Sequence, residues 1–169
     1  MANELTRIEP YQITDNVFKL IADDWMLITA GTKESFNTMT ASWGALGELW
    51  NREVCFVFVR PTRYTYEFME KSEYFTLSFF AEEHREALNF CGNNSGRDVD
   101  KIAATKLTPL EGTTGVIYFA EARLVMECRK IYSQDLDPQR FLETRINKLY
   151  PLKDYHRLYV GEILGSLRR

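Results

Sequence analysis

The run Val54-Cys55-Phe56-Val57-Phe58-Val59-Arg60, halted by Pro61, constrains this chain more than any other stretch. It is β-branched and aromatic throughout and is stopped by a residue that cannot donate to a ladder, so it reads as a strand. The same pattern recurs. Trp25 to Gly31 is a short apolar run with a turn after it, which predicts a buried central strand. Phe36 to Trp43 alternates small hydroxylated residues with Met39 and Trp43. Tyr74 to Phe80 places Phe75, Leu77 and Phe79 on one face and Thr76, Ser78 and Phe80 on the other. Val116 to Ile131 reads as one long strand able to bend across a barrel, and Arg157 to Leu167 as a closing strand.

Helical spacing appears over residues 14–22, with Thr14 or Asp15 as cap, and over 65–72, 82–91, 99–104 and 138–149, the last with Pro138 in its first turn. Residues 44–51, broken by two glycines, read as a loop. These helices do not alternate regularly with the strands, as a parallel sheet would require, and no Gly-x-Gly-x-x-Gly turn joins a strand to a helix. The expected fold is therefore mainly β, an antiparallel, Greek-key-like barrel with flanking helices. No repeat or linker divides the 169 residues, so a single domain spanning 1–169 is expected.

The net charge of -3, with both signs interspersed, gives no footprint for nucleic acid or an anionic membrane. The first residues show no apolar run after a basic start, and nowhere does the chain supply the ~18 apolar residues of a membrane span. A cytoplasmic protein is expected. Three widely spaced cysteines, Cys55, Cys91 and Cys128, suit free buried thiols better than a disulfide framework. No Ser/His/Asp set, carboxylate pair or metal-ligand spacing stands out, and His84 and His156 are expected at the surface or at caps.

Two stretches could carry phosphate chemistry. Thr62-Arg63-Tyr64-Thr65 lies where a strand meets a helix start, so amides, hydroxyls and the charge of Arg60 or Arg63 could converge. A solvated arginine pair with a threonine cap accounts for it equally well. Ser95-Gly96-Arg97-Asp98, followed by Lys101, could turn amides and charge inward, or could be a polar loop capped by Asp98. Trp43 and Trp50 suit either a ring-binding wall or an interface anchor.

Taken in order, residues 24–31, 37–44, 57–65, 74–80 and 95–101 resemble the flavin reductase-like, FMN-binding split β-barrel family, in its flavoredoxin-like branch. The resemblance implies a homodimer holding FMN without a covalent bond near its interface. It implies that Met39, Thr40, Ala41, Ser42 and Trp43 run along the ribityl chain and ring, with Asn37 also among the cofactor-binding residues. Arg60, Arg63, Tyr64 and Thr65 would face the phosphate, the backbone of Ser78, Phe79 and Phe80 the ring edge, and Ser95, Gly96 and Lys101 the phosphate end. NADH or NADPH would reduce the flavin, and electrons would pass to a second acceptor. The alternatives are a non-enzymatic flavoredoxin-type electron carrier and a split barrel that binds another ligand such as haem.

Overall fold

A computed structural model describes residues 4–169; the start of the amino-terminal segment read above, residues 1–3, lies outside it. The chain begins with β1 (Thr6–Ile8), a 3-10 turn (Pro10–Gln12) and α1 (Val17–Lys19), which runs on as a π-helical turn (Leu20–Asp24). A hairpin of β2 (Met26–Thr32) and β3 (Ser35–Ala41) leads into a second hairpin, β4 (Gly44–Glu48) and β5 (Glu53–Val59). Then come α2 (Tyr64–Lys71), β6 (Tyr74–Phe79), α3 (Arg85–Asn93) and α4 (Lys101–Thr105). The remainder is β7 (Pro109–Glu111), β8 (Ile117–Phe119), β9 (Leu124–Asp135) and β10 (Arg157–Arg168), with 3-10 turns at Pro138–Arg140 and Thr144–Leu149.

One 8-stranded sheet runs in the order β3-β2-β6-β9-β10-β5-β4, with β1 added on β10. The pairings are antiparallel and the sheet is not closed by β3–β4 pairing. Its concave side encloses a core that includes Met26, Ile28, Cys55, Val57, Phe75, Phe79, Met126 and Tyr159. A second cluster, around Leu27, Leu88, Cys91, Phe119 and Val125, joins α3 to the other face. Burial of such apolar area is the main driving term for both.

Gly31 has φ +109, and a Cβ there would stand 2.3 Å from the Ser35 carbonyl, so the strand leading into the β2–β3 turn tolerates no side chain at that point. At the other hairpin, Leu49 and Arg52 exchange backbone bonds around Trp50 (φ 55) and Asn51 (φ 56). That is the left-handed pair of a tight β-turn, with an exposed tryptophan in a position that ordinarily favours glycine or asparagine.

Several expectations are corrected. Residues 44–48 are not a loop: they form β4, an edge strand whose small residues carry no hydrophobic alternation. The strand expected from Val116 to Ile131 is interrupted after Phe119 by a turn, in which the Ala122 N–H donates to the Phe119 carbonyl. Residues 138–149 form separate 3-10 turns, because Leu142 and Leu149 face solvent and give a helix no apolar face to bury. Asn16, not Thr14 or Asp15, caps α1, and Asp15 instead pairs with Arg123 and Arg168. Gly92 and Asn93 belong to α3, and Asp100, not Asp98, caps α4 through the amides of Ile102 and Ala103. Among the described residues no helix is long and apolar enough to cross a membrane.

Candidate functional site

The carboxyl end of β3 and the residues just past it form one wall of a cavity of about 210 Å³, lined by Met39, Thr40, Ala41, Ser42 and Trp43. The end of β5 supplies Phe58 and Arg60, the approach to α2 supplies Arg63, and the residue before β10 supplies His156. The end of β5 and the start of β10 meet because β10 enters the sheet with Arg157 opposite Val59, which sets His156 beside Arg60. The Trp43 ring lies 5.2 Å from that of His156 and is 45% exposed, so it forms the mouth of the cavity.

The two arginines differ. Arg60 is spent: it pairs with Asp154 at 2.9 Å, donates to the Leu149 carbonyl and lies 4.7 Å over the Tyr150 ring. Arg63 has no carboxylate partner among the described residues and donates only to the carbonyls of Gly92 (2.8 Å) and Cys91 (3.4 Å). Burial holds the Arg63 guanidinium below its usual range, opposed by Cys91 and helped by a smaller contribution from the Arg60 charge. A half-buried cation whose partners are carbonyls and not a carboxylate keeps its net charge and can attract an anion.

His156 is buried, not at the surface, and its Nδ1 shares a hydrogen bond of 2.7 Å with the Tyr150 hydroxyl. Burial pushes its imidazole down to about 4, helped by the Arg60 charge and opposed by Asp154. It therefore faces the cavity as a neutral ring at ordinary pH. Phe58 and His156 were missed from sequence. Alternation along β5 puts Phe58 on the side away from Val57 and Val59, whereas His156 enters only through strand register.

The remaining expected site residues lie elsewhere. Asn37, Tyr64, Gly96 and Lys101 line a separate pocket at the other end of β3. Asn37 donates to the fully buried Thr65 hydroxyl at 2.7 Å, and a Cβ on Gly96 would fall 2.0 Å from Asn37 Oδ1, so these residues brace the loop against the strand. The Ser95 hydroxyl accepts the Arg97 amide. Lys101 is buried and donates to the carbonyls of Thr38 (2.8 Å) and Cys91 (2.9 Å). Burial lowers its amine to about 8, against an opposing contribution from Cys91 and with the Arg63 charge adding to the fall. Arg63 and Lys101 thus both grip the carboxyl end of α3, where carbonyls favour cations.

Ser78, Phe79 and Phe80 are not at this cavity. β6 is paired on both sides, the Phe79 carbonyl accepts the Arg123 amide, and Ser78 Oγ is buried without a hydrogen-bond partner. Phe80 lines a cavity of about 290 Å³ with Leu88, Lys19, Asp24, Arg85 and Arg123.

The donor set of the Trp43 cavity, with an uncompensated guanidinium, two hydroxyls and aromatic rings, fits a phosphorylated aromatic cofactor. At about 210 Å³ it is smaller than the ~300–1,000 Å³ typical of whole-ligand pockets, so part of such a molecule would extend across the open mouth.

Residues 18–166 match the model of the flavin reductase-like domain, and the chain belongs to that family. Its fold is the family's split barrel. Similar solved structures include an FMN-binding domain of a flavin reductase-like enzyme from Shewanella baltica OS155, with a TM-score of 0.72, 18% identity, and coverage of 99% of this chain and 78% of that one. A flavoredoxin from Methanosarcina acetivorans aligns with a TM-score of 0.70 and 23% identity over 96% of this chain and 76% of its own. An NADH:FAD oxidoreductase from Streptomyces globisporus aligns at 0.67 and 16% identity, over 86% of this chain and 75% of its own. No curated protein matches the chain.

Proposed function

We propose that the protein is a flavin-dependent oxidoreductase that holds FMN at the Trp43 cavity, takes electrons from NADH or NADPH and passes them to a second acceptor. The observation that carries this reading is Arg63, a half-buried cation without a carboxylate partner among the described residues, facing the same cavity as Trp43, Phe58 and His156. Membership of the flavin reductase-like family and the FMN-binding or flavin-reducing descriptions of structural neighbours support it.

A bound flavin supplies the hydride and electron chemistry; the protein binds, orients and shields. Arg63 anchors the phosphate, with Arg60 kept behind it by Asp154. Ser42 and Thr40 offer hydroxyls along the ribityl chain, though Thr40 already donates to the Leu88 carbonyl at 2.5 Å. Trp43, Phe58 and the neutral His156 give the ring apolar faces and keep water from it.

The protein would work as a homodimer in the cytoplasm, without nucleic-acid or membrane partners. Register places Ala45, Phe56, Val160 and Tyr132 on one sheet face, where Ala45 and Tyr132 are exposed and the exposed Trp50 ring lies 6.1 Å from that of Tyr132; this aromatic edge suits a second copy. Three buried free thiols suit a reducing compartment.

The test is anaerobic mixing of the FMN-loaded protein with NADH and with NADPH while flavin absorbance is followed. Bleaching with either donor is expected. A flavin that binds but bleaches with neither would leave an electron carrier in place of a reductase.

A further inference from the structure

Between β9 and β10, residues 136–156 form only 3-10 turns and leave Leu142, Leu149 and Leu152 exposed. Two residues of this excursion are buried, Tyr150 and His156, and they bond to each other. The Tyr150 ring is held by its neighbours: the Arg60 guanidinium lies 4.7 Å over it, Phe141 stacks at 6.1 Å and Tyr155 packs at 4.9 Å. Arg60 also fixes the turn, by donating to the Leu149 carbonyl and pairing with Asp154. A segment with little apolar cover of its own thus places one phenol, whose hydroxyl meets His156 Nδ1 at 2.7 Å.

The protons available decide the direction of that hydrogen bond. A neutral imidazole has one N–H and one bare nitrogen, and a buried phenol must find an acceptor for its single proton. Among the described residues the Tyr150 hydroxyl has no acceptor other than His156 Nδ1. A proton on Nδ1 would make the phenol accept and would strand the phenol's own proton in a buried place. Burial pushes the Tyr150 phenol up, against a smaller opposing contribution from Arg60, so it keeps that proton, while the imidazole at about 4 is uncharged. Nδ1 therefore accepts, and the proton of the ring sits on Nε2.

Nε2 is the free end of the pair. It makes no hydrogen bond among the described residues, yet it is not one of the buried atoms sealed without a partner, so it opens onto the Trp43 cavity that His156 lines. The Trp43 and Phe58 rings that bear on the same imidazole carry no acceptor. We infer that Tyr150 is a positioning residue that locks His156 in its Nε2–H tautomer, so that the cavity presents a directional, uncharged donor to an acceptor atom on the edge of a bound ring. The identity of that ring as a flavin rests on the proposed function; the tautomer does not. Arg63 and His156 then read different parts of one ligand, the first its phosphate and the second a carbonyl or bare nitrogen of its ring system. A site built around a fixed donor rejects a ring of the same shape that lacks the acceptor, because the N–H is then left unpaired.

The first test is a long-range proton–nitrogen correlation spectrum of the isotope-labelled protein, in which a bare ring nitrogen and a protonated one resonate far apart; the His156 signals are identified by their loss in His156→Gln. A proton on Nε2 in the wild type, and a mixture of tautomers in Tyr150→Phe, are expected at neutral pH. Fluorescence titration supplies the second readout. Tyr150→Phe should weaken FMN and riboflavin alike, by ~3–10-fold, whereas a phosphate contact would spare riboflavin. His156→Gln, whose amide nitrogen can stand where Nε2 stood, should bind FMN at least about threefold more tightly than His156→Asn, whose amide reaches only the Nδ1 position. A wild-type proton on Nδ1, flavin affinities that Tyr150→Phe leaves untouched, or His156→Asn binding as well as His156→Gln overturns the inference and leaves the flavin reading in place. The tautomer change in a protein that ignores both flavins removes the flavin reading and leaves Tyr150 as the residue that fixes His156.

Discussion

Thr40 to Trp43 and Ser78 to Phe80 are stretches that family resemblance places around one cofactor, and the fold gives them opposite surroundings. The first leaves the sheet at the end of β3, beside a cavity and an exposed tryptophan. The second closes β6, where Ser78 pairs with both β2 and β9, Phe79 pairs with Leu124 of β9, and every side chain, Phe80 included, is buried. A strand end that runs out of partners keeps donors and acceptors for a ligand, whereas a central strand has already given them to its neighbours. The end of β3 should therefore govern binding and the buried end of β6 stability.

Replacing Phe79, which is fully buried, with alanine should cost ~3–5 kcal/mol in urea unfolding, the usual toll of an aromatic deleted from a core. A cost below ~1 kcal/mol would mean that β6 is not sealed.

His156 provides a titration inside the binding region. Its folded-state value of about 4 lies below the ordinary 6.5, so its contribution is fully present above pH ~6.5 and is lost as pH falls towards 4. The loss should be of the order of 3 kcal/mol, read as the difference in pH-dependent stability between the wild type and His156→Phe. Parallel profiles for the two proteins would show that His156 is not held neutral by its surroundings.

Arg63→Ala should weaken FMN by ~10–100-fold, the worth of a charge-assisted hydrogen bond, while riboflavin changes little because it lacks the phosphate. Equal losses for both ligands would move the phosphate elsewhere. Ser78→Ala gives the smallest effect. It removes a buried hydroxyl that has no partner, so stability should hold or rise by ~0.5–1 kcal/mol with FMN affinity unchanged. A fall in FMN affinity would bring β6 back to the cofactor.

The same contrast explains what could be read from the sequence. β2, β5 and β6 were legible because their apolar residues follow strand patterns, and α2 because Tyr66, Phe68 and Met69 recur at helical spacing. β4 was not, since its inward face carries only Gly44, Leu46 and Glu48, too little apolar pattern to mark a strand. Local sequence left Arg60 and Arg63 open between a phosphate site and a solvated pair, and the family resemblance added Thr40 and Ser42. It did not reveal that Asp154 neutralises Arg60, because that contact joins residues 94 positions apart. Nor did it reveal His156, which arrives through the register of β10 on β5. Which cavity a strand end reaches is likewise a property of the assembled sheet, so that Phe80 lines a different cavity from Trp43 could not be seen in the chain alone.

The central claim is that a flavin lies in the Trp43 cavity with its phosphate on Arg63. Its most direct test is a fluorescence titration of FMN with the purified protein. The account predicts quenching that saturates at one FMN per chain and is reversed by dilution; FMN fluorescence that stays unchanged at every protein concentration would contradict it.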